Sequence, residues 1–468
     1  MGRKWGTLLI VCVAIFMLLL DITVVNVALP KIQRDLHASF TDLQWVVDAY
    51  SLMLASIVLN AGSLGDLLGR KRVFLIGVVL FTAASAACGS ATSPLFLNLA
   101  RGAQGIGGAI MFAVSLALLS QEFHGRERGT AFGIWGATIG AAVAIGPLVG
   151  GALTEWAGWR WIFFVNLPIG AACLFFGLRA LHESRDEAHG GLDIPGQLLL
   201  SAGLFAFVLG LLRGNDWGWS SGRVVGLLAG AVAALAAFAL VELRSESPMF
   251  DVRLFRVPAF TGAQIVAFSI SSAMFSQFLY LTLYLQNVLG YSPLQAGLRF
   301  LPLSMISFFA APLSGRLLGR IPVRVVMGIG MALVTVALYL MYGVHVSSGW
   351  TTLLAGFLVG GVGIGMVNPA LATTAVSVVP PQRAGMAAGV NNTFRQVGIA
   401  TGIAGLGAIF QASYAMGGTR ADFVHGLNQI LLVATFIALA GCVLGFALVR
   451  GRDFVLSGPS AAQAPAGH

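Results

Sequence analysis

Two acids and one base stand where a chain of this kind otherwise turns its charges outward: Asp21, Asp48 and Arg101. Each lies several residues inside an apolar run long enough to cross the ~30 Å hydrocarbon core of a bilayer. A charge at such a position is costly unless paired or wetted, so it marks an ion or substrate pathway by default. At 1.5 Å per residue, Asp21 lies ~12 Å, Asp48 ~8 Å and Arg101 ~9 Å from one membrane face. The depths coincide and permit an Asp–Arg–Asp cluster. The chemistry open to it is exchange. Desolvation favours the protonated form of a carboxyl and a neighbouring cation favours the carboxylate. A proton and a cationic ligand therefore compete for one site. A structural hydrogen bond is the competing reading of Asp21, and a solvated helix end is that of Asp48.

Other chemistries lack their parts. There is no Gly-x-x-x-x-Gly-Lys-Ser/Thr loop to hold a nucleotide. The seven histidines fall in predicted loops or the tail, and no buried nucleophile accompanies them. The four cysteines, Cys12, Cys88, Cys173 and Cys442, lie in apolar runs without metal-ligand spacing and read as small apolar fillers. No enzyme, metal site or cofactor is expected, the proton serving as coupling ion.

The sequence that must position these residues is 57% hydrophobic and 10% charged, far from a soluble domain. Its net charge of +9 suggests nucleic acid only if position is ignored. By predicted side, 18 Lys and Arg residues fall on one face, 6 on the other, and Arg101, Arg299 and Arg395 inside spans. The positive-inside rule then places both termini in the cytoplasm and requires an even number of spans. Apolar runs predict fourteen, near 7–29, 43–65, 73–92, 95–118, 130–153, 160–180, 193–212, 223–243, 261–286, 294–317, 324–343, 351–372, 385–410 and 428–449. The run from Thr7 to Leu29 is too long for a signal peptide and lacks a small-residue cleavage site, so it is expected to be retained.

The chain repeats itself. Gly65-Asp66-Leu67-Leu68-Gly69-Arg70 is echoed by Gly315-Arg316-Leu317-Leu318-Gly319-Arg320, and Gly129-Thr-Ala-Phe-Gly133 by Gly385-Met-Ala-Ala-Gly389. Duplicated halves around a midplane site are the plan of secondary transporters. The expected fold is all-α and integral to the membrane. Residues 1–180 and 258–450 form two six-helix bundles, residues 181–257 carry two inserted transmembrane helices, and residues 451–468 form a disordered tail.

With these residues in view, the chain resembles the major facilitator superfamily, more narrowly its fourteen-span drug:proton antiporters. Gly62, Asp66, Gly69, Arg70 and Lys71 match the signature loop between spans 2 and 3. Leu20-Asp21 through Asn26 to Pro30 matches the first-span motif, and Arg101-Gly-Ala-Gln104-Gly105-Ile-Gly107 that of span 4. Gly140, Gly146, Pro147, Gly150 and Gly151 match the antiporter motif of span 5, and Trp159 to Pro168 is typical of the same group. The resemblance implies proton coupling at Asp21 and Arg101, a cytoplasmic latch at the signature loop and export as the direction of exchange. Leu67 stands where the signature usually has a base, and Arg316 stands where the first copy has Asp66.

Physically, Gly133, Gly136 and Gly140 approximate one small face for close helix packing, and Pro147 removes a helix hydrogen bond. The second half has no acid in its predicted spans. It offers Gln277, Tyr280, Tyr284, Asn368, Asn391, Asn392 and Gln396 as a weakly polar, aromatic wall suited to bulky lipophilic ligands. Arg395 is expected to snorkel to the interface, and Arg299 to do so at the opposite face. The expected function is proton-coupled export of lipophilic, cationic drugs by alternating access. A metabolite, lipid or self-made antibiotic exporter is the alternative, and a non-transporting sensor the remote one. The expected partners are small lipophilic molecules, protons and membrane lipids, with no nucleic acid, and a monomer suffices. Three lysines against many Arg, Ala and Gly residues point to a GC-rich bacterial genome, hence a multi-pass protein of the bacterial inner membrane.

Overall fold

The computed structural model describes residues 3–123, 125–185, 193–245, 248, 250–318, 320–379, 384–414 and 418–454. Among them it is all helix, with fourteen helices long and apolar enough to cross a membrane. In chain order these are α1 (Lys4–Leu36), α2 (Phe40–Leu68), α3 (Arg70–Gly89), α4 (Pro94–Glu122), α5 (Thr130–Trp156), α6 (Trp161–Ala180), α7 (Ile194–Trp217) and α8 (Gly222–Arg244). They continue with α9 (Pro258–Val288), α10 (Pro293–Leu317), α11 (Val323–Met341), α12 (Thr351–Ala375), α13 (Met386–Tyr414) and α14 (Arg420–Leu448). In a bilayer only an intrahelical ladder satisfies every backbone group of a lone span, so apolar runs of this length fold as helices.

Local chemistry sets the helix ends. Ser39 and Asp42 form a capping box at α2, Ser292 and Gln295 at α10, and Thr419 and Asp422 at α14. Asp422 thereby sits in the first turn of α14, ahead of the expected start at 428. Within α6 the helix Trp161–Phe164 gives way to Asn166–Ala180 at Val165. α9 contains two π-helical stretches, Ser271–Phe275 and Tyr284–Val288. Such bulges in a helix frequently accompany functional sites. The expected tail lies outside the described residues except for a short turn at Gly451–Asp453.

The two halves meet along two seams, α2 with α13 and α5 with α10. The hairpin α7–α8 lies beside the first seam, where α7 touches both α2 and α13. Asn60 donates to the Asp193 carbonyl (3.2 Å) and to Gln197 (3.0 Å), and Gln197 donates to the Ser56 carbonyl (2.8 Å). At the other end of α7, Asn215 donates to the Ala408 carbonyl (2.6 Å). The inserted helices therefore bind both halves on one side only.

The seams are tight at the end remote from the termini. Gln44 donates to the Ile403 carbonyl (2.8 Å), Gln286 to the Val27 carbonyl (2.8 Å), and the Leu294 amide to Glu155 (2.9 Å). Gly151 lies against the Pro293 carbonyl and Leu294 Cα, and Gly297 against the Pro147 carbonyl. Glycine permits these approaches because a side chain would occupy the same space. Going toward the end that carries the termini, Gly140 still lies beside Phe308, but Gly133 and Gly136 have open space where a side chain would stand. On α10, Pro312 and Gly315, one and two turns beyond Phe308, are exposed, and Gly315 also has open space where a side chain would stand. The molecule is thus closed at its remote end and splayed between α5 and α10 at the other. The expected small face at Gly133 and Gly136 is not a packed face here; Gly146, Gly150 and Gly151 make the close approaches instead.

Gly297→Val should destabilise the protein by about 1–3 kcal/mol, the usual cost of overpacking a tight contact. Gly133→Val, in open space, should be near neutral. Thermal unfolding of the two variants in detergent checks this, and equal shifts would contradict the seam.

Candidate functional site

Arg101 is the largest fully buried charged side chain in the molecule's described part. It stands on α4 and forms an ion pair with Asp21 of α1. Its Nη1 also donates to Gln104 Oε1 (2.7 Å) and its Nε to the Val46 carbonyl of α2 (3.0 Å). Gln104 Nε2 donates back to Asp21 Oδ1 (2.9 Å), and Asn166 Nδ2 of α6 donates to the same oxygen (3.2 Å). Asn166 also donates to Ser85 of α3 (3.0 Å), whose hydroxyl donates to the Phe163 carbonyl (2.9 Å). The guanidinium lies 4.4 Å from the centre of the Tyr50 ring. Five helices of the first half converge here, and Asp21 accepts from three separate side chains. Gln104 is one helical turn from Arg101, so the i, i+3 spacing was its signal; Ser85 and Tyr50 carried none.

Asp48 does not join this network. It is fully buried, eight residues into α2 or ~12 Å from the helix start, deeper than a solvated helix end. Among the described residues neither of its carboxylate oxygens has a hydrogen-bond partner. It stands one turn after Gln44, whose amide reaches the Ile403 carbonyl of the second half, and so shares the face of α2 that meets that half. The Tyr280 hydroxyl donates to the Ile403 carbonyl of α13 (2.6 Å). Gln277, one turn earlier on the same face of α9, is fully buried and unpartnered at both Oε1 and Nε2. Asp48 on α2 and Gln277, between the two π-helical stretches of α9, are thus a bare carboxyl and a bare amide. Buried polar groups left this way call for an occupant or a change of state.

The other expected wall residues scatter. Tyr284 donates to the Ser348 carbonyl before α12 (3.3 Å), and Asn391 donates to Gln264 (3.1 Å) inside the second half. Asn26 donates to the Ile22 carbonyl of its own helix (3.1 Å). Asn368 accepts from Arg395 Nη1 (2.9 Å), and Asn392 Nδ2 has no partner. Arg395 therefore turns inward to α12 and does not snorkel. Arg299 lies at the start of α10, 3.5 Å from the Tyr291 ring centre and 5.5 Å from that of Trp350, as an interface anchor does.

The signature loop is organised within the first half. Asp66 pairs with Arg70 at 2.7 Å, and Gly69 adopts φ 109° between α2 and α3. Gly62 meets nothing within 4 Å. Glu183, just after α6, was not singled out in the sequence. Its carboxylate accepts from the Lys71 and Arg72 amides (both 3.1 Å) and so caps α3, while Lys71 Nζ donates to the Leu178 carbonyl (2.8 Å). In the antiporter motif, Gly146 lies against Thr23 and Gly150 against Val24 of α1, while Gly151 and the Pro147 carbonyl meet α10. Span 5 is thus wedged between α1 and the opposite half.

Asp21→Ala leaves the buried Arg101 without its counter-charge and should cost about 3–5 kcal/mol. Asp48→Asn removes an acid that has no partner to lose and should leave stability unchanged or raised. Melting temperatures of the two purified variants test this; a larger loss for Asp48→Asn would contradict the geometry.

Residues 11–403 match the model of the Major Facilitator Superfamily. The chain is 40% identical over 408 residues to the multidrug resistance protein Stp of Mycobacterium tuberculosis, covering 87% of this chain and 76% of that one. It is 38% identical to a tetracenomycin C resistance and export protein of Streptomyces glaucescens, with the same coverages. Among solved structures, a bacterial homolog of the human lysosomal transporter Spinster, inward-facing and unoccupied, superposes with TM-score 0.69 at 16% identity. That match covers 98% of this chain and 99% of the other, and it supports the fold.

Proposed function

The chain belongs to the Major Facilitator Superfamily, and on that premise we propose that it exports lipophilic drugs or antibiotics in exchange for protons by alternating access. Membership makes it a multi-pass bacterial membrane transporter of small molecules, not an enzyme. Proton exchange is our reading of one observation: Asp48 is a buried acid without a partner on the seam between the halves.

A carboxylate held there alone is costly. A proton removes the cost, and so does a cationic group of a ligand. The two exclude each other at one carboxyl, and exchange needs no further machinery. Gln277 and Tyr280 provide polar edges for orienting the ligand. Asp21 has the opposite character. Its carboxylate is matched by Arg101 and two amides, so neutralising it would strip a buried guanidinium of its partner. We assign the Asp21–Arg101 network to holding α1, α2, α4 and α6 together, and the exchange to Asp48. This moves the coupling from the residues that the motif resemblance favours to the acid it does not.

Residues 1–180 and 258–450 are then the two moving bundles, and residues 181–257 the inserted hairpin. The termini face the cytoplasm, a monomer suffices, and the proton is the coupling ion. The closed remote end and the splayed terminal end correspond to a state open to the cytoplasm. The driving force is adequate: ~2.3 kcal/mol per charge per 100 mV, with ~1.4 kcal/mol per pH unit. An exporter of an antibiotic made by the host cell is a second reading, favoured by the likeness to the tetracenomycin C exporter.

Purified protein in liposomes holding a pH-sensitive dye provides the test. Tetraphenylphosphonium is expected to drive proton movement in the wild type and in Asp21→Asn if that variant folds, and none in Asp48→Asn. Full coupling in Asp48→Asn, with loss only in Asp21→Asn, would overturn the assignment.

A further inference from the structure

Arg395 is, after Arg101, the second arginine that turns inward within the described membrane-spanning helices, and its surroundings are the reverse of those of Arg101. It lies eleven residues beyond the helix start at Ala384, roughly 16 Å deep at 1.5 Å per residue. That is about half the thickness of the hydrocarbon core. Its guanidinium makes one side-chain hydrogen bond, to the neutral Asn368, and lies 5.8 Å from the centre of the Phe275 ring, in the first π-helical stretch of α9. No described carboxylate pairs with it. None can come from its own half: between Pro258 and Arg450 the sequence contains a single acid, Asp422. That residue is occupied in the capping box at the start of α14, at the remote end of the molecule.

The adjoining surface is a stripe, not an isolated charge. Ala388, Asn392, Arg395 and Ile399 follow each other at helical spacing, and all four are partly accessible. Asn392 contributes a second donor, Nδ2, that is buried and unpartnered. A face with a guanidinium, a free amide donor and no described acid to match them is suited to a negative group. An arginine offers five donors in a fixed fork that fits a carboxylate, and charge-assisted bonds of this kind are the strong ones.

We infer that Arg395 and Asn392 form an anion-accepting subsite on the wall of the transport pathway, and that the substrates include lipophilic molecules carrying a carboxylate or ionised phenol. The inference rests on the export reading for its setting and deepens it. With Asp48 on the first half and Arg395 on the second, the pathway presents opposite charges from opposite walls. A zwitterionic compound can engage both, and a lipophilic acid engages Arg395 while Asp48 keeps its proton.

The test is equilibrium binding to purified protein in neutral detergent, separate from any transport assay. Fluorescent 1-pyrenebutyrate and 1-pyrenebutylamine share an aromatic body and differ in charge. The wild type should bind both. Arg395→Gln should weaken pyrenebutyrate by about tenfold or more, the scale of one lost charge-assisted contact, and leave pyrenebutylamine within about twofold. Arg395→Lys, which keeps the charge, should retain most of the pyrenebutyrate affinity. Unchanged pyrenebutyrate binding in Arg395→Gln, equal weakening of both probes, or no pyrenebutyrate binding by the wild type would each overturn the subsite. Absence of proton movement in liposomes would sink the antiport reading and leave this binding result standing.

Discussion

The organisation of this molecule depends on one constraint: a charge carried into the hydrocarbon must be matched there. Arg101 is matched completely, by Asp21, Gln104, a backbone carbonyl and the face of Tyr50. That match uses up the acid that the first-span motif provides. Asp48 is left on the seam without a partner, and Arg395 is left in a half that has no acid to give it. In the proposed function, the charges that the fold leaves unmatched are those available to a passenger. On the proposed reading, the closed network holds helices together and the open groups meet ligands.

Movement has a physical basis in the seams. At the remote end Phe40 of α2 packs against Tyr280 and Phe410 of the other half, whereas the α5–α10 seam closes through glycines and backbone carbonyls. Such a contact gains dispersion energy through close approach, yet it separates without unthreading side chains. The inserted hairpin adds asymmetry. α7 ties α2 to α13 through Asn60, Gln197 and Asn215, whereas the α5–α10 seam has no such cover. The splay toward the termini lies on the uncovered side.

Much of this was legible in the sequence, and what was not has a physical reason. Fourteen spans were readable because length and apolarity alone decide whether a segment crosses a bilayer. The closeness of Asp21 and Arg101 was readable from matched depth and from the motifs that contain them. The direction of Asp48 was not. Depth fixes a residue along a helix axis, but its heading depends on the rotation of α2, which packing sets. The same gap hid Asn166 and Glu183 as partners and misassigned Gly133 and Gly136. Arg395 looked like an interface residue because a long side chain can always snorkel. Only the position of Asn368 on α12 shows which way it turns.

The most direct measurement of the central claim is infrared difference spectroscopy on the purified protein, recorded as tetraphenylphosphonium is added. The carbonyl stretch of a protonated carboxylic acid should disappear in the wild type as a carboxylate band grows. The same change should be seen in any folded Asp21→Asn protein and should be missing in Asp48→Asn. A band change that survives in Asp48→Asn, or a wild-type spectrum without any loss of a protonated carboxyl, would contradict the account.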